Sequence, residues 1–122
     1  MPVADDWPGL LQRIANYGRI RSTMDPKLKT RHQKIAKRFV ISGRVQGVGF
    51  RYFAQGWANQ LGICGYVKNL WSGNVEVYAV GDPVSMEEFK RQLAEGPRMA
   101  RVKGFEEMDE TVEGGCSRFS IE

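Results

Sequence analysis

Nine residues, Gly43-Arg44-Val45-Gln46-Gly47-Val48-Gly49-Phe50-Arg51, constrain this chain more than any other stretch. An apolar alternating run leads into them and an amphipathic helical pattern leads out. Between the two lie three glycines and little bulk. Such a strand–loop–helix junction leaves backbone N–H groups unpaired and aims them at one spot, where the positive end of the helix dipole also points. Arg51, at the helix start, adds a planar and permanently charged fork. The bland alternative is a tight β-to-α connection with an exposed arginine. A cation there opposes the helix dipole, and that local conflict favours a bound anion. The stretch reads as a cradle for a small phosphate.

The elements on either side follow from periodicity. Strand one spans Arg38 to Val45, with Phe39, Ile41 and Val45 on one face and Val40, Ser42 and Arg44 on the other. Helix one spans Phe50 to Leu61. Phe50, Phe53, Ala54, Trp57, Ala58 and Leu61 make its apolar stripe, and Gly62 suits its left-handed end. At that spacing Phe53 and Trp57 read as core rather than as a ligand-stacking pair. Strand two runs from Ile63 to Asn69 or Leu70 and strand three from Asn74 to Val80, joined through Trp71-Ser72-Gly73. Helix two opens at Asp82-Pro83, with Asp82 as cap, although Ser85 and Glu88 form a competing capping box. Met86, Phe89 and Leu93 mark its buried side, and Gly96-Pro97 ends it. Strand four covers Ala100 to Met108, where a slip in alternation at Gly104-Phe105 predicts a bulge. A last short strand runs from Arg118 to Glu122.

This order is an α+β class, a ferredoxin-like split βαββαβ sandwich. Two helices cover one face of a mostly antiparallel sheet of four to five strands. The topology carries a geometric prediction. Strands one and two run in the same direction with strand three between them, so their C-terminal ends share one edge of the sheet. The glycine turn and Asn69 should therefore meet beside Arg51, and the cradle gains a carboxamide that both donates and accepts.

Residues 1–36 read as a basic N-terminal extension to a domain at 37–122. Through Lys37 the chain carries a net +5, and from Arg38 onward a net −1, so the excess of cations belongs to the leading segment. The domain itself is not a basic nucleic-acid surface, which weighs against RNA or DNA as a partner. Asp6-Trp7-Pro8 and Asp25-Pro26 are helix-start signals in the extension, which otherwise reads as a solvated arm; Met24 is a second candidate start. No apolar run approaches the ~18 residues of a membrane span, and no secretory pattern opens the chain, so the expected location is the cytoplasm. A monomer is the expected state. Cys64 and Cys116, 52 positions apart, fit neither a zinc site nor a redox pair. Two buried or half-buried thiols are the plainer reading, and a disulfide between them has no support in the pattern.

The nine-residue stretch, then Gly65-Tyr66-Val67-Lys68-Asn69, then Gly73-Asn74-Val75-Glu76, resembles the acylphosphatase family. The likeness continues through Gly81, Phe89, Leu93, Gly96-Pro97, Ala100 and Val102, and covers about residues 37–122. Some members carry threonine after the asparagine, where this chain has Leu70. The resemblance implies hydrolysis of the carboxyl–phosphate anhydride of a small-molecule acyl phosphate. It implies that Arg51 and the backbone of Gln46, Gly47, Val48, Gly49 and Phe50 bind the phosphoryl group, and that Asn69 positions the attacking water. It implies no metal and no other cofactor.

The residues agree with that chemistry. The single histidine, His32, lies in the extension, so the domain offers no Ser–His or Cys–His pair, and no acidic cluster has metal spacing. Positioning and electrostatics remain, and they suffice for a labile bond whose leaving group is already a carboxylate. Two alternatives stay open: a non-catalytic ferredoxin-like module binding phosphate or RNA, and an acylphosphatase-like domain of a carbamoyl-transfer system.

Overall fold

The structure, a computed structural model, describes residues 33–122. The helix-start signals at Asp6 and Asp25, and with them the extension up to His32, lie outside the described residues. Lys34–Glu122 forms one compact unit. Its elements are β1 (Ile35–Arg44), α1 (Phe50–Leu61), β2 (Cys64–Asn69), β3 (Val75–Gly81), α2 (Pro83–Glu95), β4 (Arg101–Glu110) and β5 (Phe119–Ile121). The strands form one sheet in the order β4-β1-β3-β2-β5. All neighbours are antiparallel except β2 and β5, which run parallel. The split arrangement predicted from the element order is therefore present, with β3 between β1 and β2.

One apolar cluster joins the sheet to both helices. Phe39 and Ile41 from β1, Val67 from β2 and Val77 from β3 meet Ala54 and Ala58 of α1 and Phe89 and Leu93 of α2, all fully buried. Burial of each large apolar side chain contributes about 1.5–3 kcal/mol. Phe89 meets Phe119 of β5 edge-on, ring centres 5.9 Å apart, which anchors the short last strand to the core. Among the described residues no helix is long and apolar enough to cross a membrane.

Several boundaries move. β1 begins at Ile35, three residues before the predicted Arg38, because Ile35 and Ala36 pair with Gly81 and Val80. β4 continues past Met108 to Glu110. Its charged end has no apolar alternation to reveal it and is carried by cross-strand ion pairs instead. Lys37 on β1 meets Glu107 at 2.9 Å and Asp109 at 2.6 Å, and Lys90 of α2 meets Glu107 at 2.6 Å. At the start of α2 Asp82 prevails over the Ser85 capping box: its Oδ1 accepts the Ser85 N–H at 2.8 Å. Glu88 turns to Gln92 and Arg91 along the helix instead.

The irregularity predicted in β4 lies one residue earlier, at Lys103. Ser42 pairs with Gly104 and Gly43 with Val102, so Lys103 is the extra residue. This gives Gly43 a structural task. A Cβ there would overlap the carbonyl oxygen of Arg101, and its φ of 119° is itself unfavourable to side chains. Gly43 serves the approach of β1 and β4 within the strand, where the alternation places it.

The cysteines also depart from the expectation. Cys64, at the start of β2, and Cys116, in the connection from β4 to β5, form a disulfide with Cα atoms 5.9 Å apart. The connection folds back over the helix-free face of the sheet, beside Tyr66 and Tyr78, and brings the two thiols together. A separation of 52 residues carries no trace of that return.

Candidate active site

The junction between β1 and α1 is the loop 45–49. Gly47 and Gly49 hold φ of 75° and 82°, the left-handed region. Left-handed residues interleaved with Val48 turn successive N–H groups to one side, the arrangement that makes an anion-binding concavity. Gly49 is also the N-cap of α1 and supplies no side chain to cap it. The first helical bond is Phe53 N–H to the Gly49 carbonyl, at 3.0 Å. Among the described residues no acceptor is bonded to the N–H groups of residues 46–52. The first turn of α1 carries no acidic residue that would fill the cradle from within.

The side chains of the loop point elsewhere. Val45 and Phe50 are buried in the core, and Val48 packs partly against it. These apolar anchors hold the loop from below, while Gly47 and Gly49 remain exposed above. Phe50 therefore offers the cradle only its N–H.

Arg51 donates from Nη1 to the backbone carbonyl of Glu122, at 3.2 Å. The N–H of Glu122 in turn bonds the carbonyl of Val67 on β2, at 2.8 Å. One turn further along α1, Gln55 Nε2 reaches the Phe119 carbonyl at 3.1 Å. The end of β5 thus stands between the start of α1 and the end of β2, and steadies the arginine. Neither Gln55 nor the carbonyl of Glu122 is distinguishable in the sequence, since a backbone acceptor has no residue-type signature.

Asn69 ends β2, opposite Val75 of β3, and is exposed. Val67, two residues earlier, points into the core, so by alternation Asn69 lies on the helix side of the sheet at its rim. The hairpin beyond it closes with the Leu70 N–H on the Asn74 carbonyl at 2.9 Å and the Gly73 N–H on the Leu70 carbonyl at 3.0 Å. Gln46 reaches across to this hairpin. Its Nε2 donates to the Leu70 carbonyl and to the Asn74 carbonyl, each at 2.8 Å. The loop, Arg51 and Asn69 are thereby gathered at one edge of the sheet, as the split topology predicts. The reach of the Gln46 side chain is what the sequence reading missed.

The donor set is one of N–H groups, a guanidinium and carboxamides. It suits an anion and repels a metal cation. Among the described residues no three His, Cys, Asp or Glu side chains gather as metal ligands. A bound phosphoryl group would receive hydrogen bonds from the loop and charge from Arg51, and a water beside it would find the Asn69 carboxamide.

The chain's relatives carry this arrangement into a family context. A family model described as Acylphosphatase matches residues 37–121. An acylphosphatase of Solibacter usitatus is 51% identical over 77 residues, 63% of this chain and 80% of that protein. One of Vibrio cholerae is 42% identical over 89 residues, 73% of this chain and 98% of that protein. The solved structure of an acylphosphatase from Coxiella burnetii is similar with a TM-score of 0.71 and 34% identity, covering 81% of this chain and 100% of that one.

Proposed function

The chain belongs to the acylphosphatase family, and from that membership we propose how it splits the carboxyl–phosphate bond of an acyl phosphate into a carboxylate and inorganic phosphate. The observation that carries the mechanism is the row of N–H groups at 46–52 beside Arg51 that are unbonded among the described residues, with no acidic residue in that first helical turn. The phosphoryl group sits in the loop formed by Gln46, Gly47, Val48, Gly49 and Phe50. Arg51 holds two of its equatorial oxygens with its fork, where charge is spread in the transition state. Asn69 accepts a hydrogen bond from the attacking water and aligns it with the bond that breaks. The P–O bond to the carboxylate breaks as the water oxygen bonds phosphorus. One proton of the water passes to a phosphoryl oxygen, giving a carboxylate and dihydrogen phosphate. A carboxylate leaves without a general acid, so no titrating side chain is required.

We take the reaction to need no metal, because the cradle is built of positive and N–H groups. We take the chain to act as a monomer, without nucleic acid, and in the cytoplasm. The Cys64–Cys116 bridge is the observation that opposes a reducing compartment, and a free-thiol count on protein extracted under alkylating conditions decides between them. The two alternatives, a non-catalytic binding module and a domain of a carbamoyl-transfer system, are not favoured by matches that span most of proteins named acylphosphatase.

Hydrolysis of benzoyl phosphate tests the reading. Turnover should persist with a chelator present. Asn69→Ala should lower kcat while the inhibition constant of inorganic phosphate stays near that of the unaltered protein. Strict dependence on an added metal overturns the metal-free reading, and full turnover in Asn69→Ala overturns the role of the asparagine.

A further inference from the structure

We propose that the side chain of Gln46 is a positioning residue that sets the distance between the phosphate cradle and Asn69. The inference rests on the roles given above to the cradle and to Asn69, and adds what holds them in register.

Gln46 faces both halves of the site. Its backbone belongs to the cradle loop, while its carboxamide crosses to the β2–β3 hairpin. Only the NH2 end of that carboxamide can donate to carbonyls, so two carbonyl partners, Leu70 and Asn74 at 2.8 Å each, settle its orientation and use both hydrogens. Leu70 is the residue directly after Asn69. The last ladder pair joining β2 to β3 is Asn69 with Val75, and the last joining β1 to β3 is Ile41 with Val75. Beyond that level the sheet no longer ties the hairpin to the strand that feeds the loop. Among the described residues, the two bonds of Gln46 are the hydrogen bonds that do so.

The tie is not needed to form the hairpin. Leu70 and Asn74 already accept backbone N–H groups at 3.0 and 2.9 Å, and Gln46 occupies the second lone pair of each oxygen. Without it the turn keeps its own bonds. The cradle keeps its glycine geometry and the buried anchors Val45 and Phe50. What loosens is the placement of one relative to the other. Asn69 is exposed, and among the described residues its side chain has no hydrogen-bond partner. Its backbone is held on one side by the last ladder pair, with Val75, and on the other by the hairpin that Gln46 ties down, so the hairpin sets how the end of β2 presents the carboxamide. A water held for in-line attack tolerates little displacement, since about 1 Å of misplacement can cost on the order of 10²-fold.

The test is a double-mutant cycle on benzoyl phosphate hydrolysis in the full chain, with inorganic phosphate as the competing ligand. Gln46→Met keeps the length and removes both donors. It should lower kcat by about 10- to 100-fold, with the phosphate inhibition constant unchanged within about twofold. In the Asn69→Ala background the same change should have almost no further effect, because a group acting through Asn69 is not additive with its loss. Gln46→Asn, one methylene shorter, keeps the donors but cannot reach both carbonyls, and should fall between the two; it also serves if Gln46→Met does not fold. Equal fractional losses in both backgrounds, with Asn69→Ala itself slow, overturn the role of Gln46 alone. So does weakened phosphate binding that accounts for the whole loss, since it places the side chain's effect in the cradle. A fully active Asn69→Ala overturns the underlying reading and the role of Gln46 with it.

Discussion

Two arginines, Arg38 and Arg51, stand on opposite sides of the sheet and show how differently one side chain is used. Arg38 lies on the helix-free face among acceptors. Its Nε meets Glu110 at 2.9 Å, and its Nη1 meets Glu76 at 3.0 Å and the Tyr66 hydroxyl at 3.3 Å. The Glu110 carboxylate holds its pKa above even the ordinary arginine range. Tyr66 donates to Glu76 at 2.6 Å, and burial together with that carboxylate holds its phenol above the usual range. Arg51, at the start of α1, has among the described residues a single acceptor, a backbone carbonyl at 3.2 Å. A guanidinium offers five donors, and among the described residues most of those on Arg51 have no acceptor. A charge neutralised within the fold stabilises it; a charge held in place without a carboxylate is available to a ligand. The same contrast separates the glycines, Gly43 serving strand packing and Gly47 serving the loop.

Exchanging these arginines should break the comparison most sharply. Arg51→Gln should cost about 10²- to 10³-fold in kcat/KM, as the loss of one transition-state donor does, with weaker phosphate inhibition and an unchanged melting temperature. Arg38→Gln should do the reverse: turnover within about twofold, and a loss of about 1 kcal/mol in denaturant unfolding, since its pairs are part-exposed. Equal rate losses in both would erase the distinction.

Reduction of the Cys64–Cys116 bridge, which closes a long loop on the same helix-free face, should cost about 2–4 kcal/mol of stability. Urea unfolding with and without dithiothreitol reads it, and KM should stay put. Among the glycines, Gly43→Ala should destabilise by about 1–3 kcal/mol through overlap with the β4 backbone, leaving phosphate affinity in the folded fraction intact. Gly47→Ala has open space around it. It should cost about 1–2 kcal/mol through its left-handed φ and should weaken phosphate inhibition. Phosphate titration and unfolding curves on both variants separate the two.

The smallest effect concerns Glu107, whose bonds to Lys90 and Lys37 hold its carboxyl below the usual range. A carboxyl lowered on folding stabilises above its unfolded pKa, and that contribution is lost as pH falls through the folded value. The unaltered protein should therefore exceed Glu107→Gln by about 0.2–1 kcal/mol near neutrality. The gap should close as pH drops below about 4, and a gap that persists in acid would assign the difference to packing.

Much of the fold was legible because its signals are local. The period of α1, the Asp82-Pro83 start of α2 and the alternation of β1 and β3 each depend on near neighbours in the chain. The charged end of β4 was not, since its ladder partners lie in β1. The competing caps of α2 show the limit in miniature: Asp82 and Ser85 both have cap chemistry, and geometry alone chose Asp82. The loop 45–49 was legible through its glycines, and Gly43 through its place in the first strand, but the backbone of Arg101 that makes a glycine necessary there was not.

By itself the sequence determined the kinds of element, their order, and hence an edge where loop 45–49, Arg51 and Asn69 converge, because periodicity, caps and crossover handedness act through local sterics and general topology. Only the tertiary structure decided which groups complete that edge. Gln46 meets carbonyls 24 and 28 residues away, Arg51 rests on a carbonyl 71 residues away, and Cys64 finds Cys116 across 52. Such partners are set by where the packed core turns the chain back on itself. A backbone oxygen, which every residue carries, leaves no mark in the sequence of being chosen.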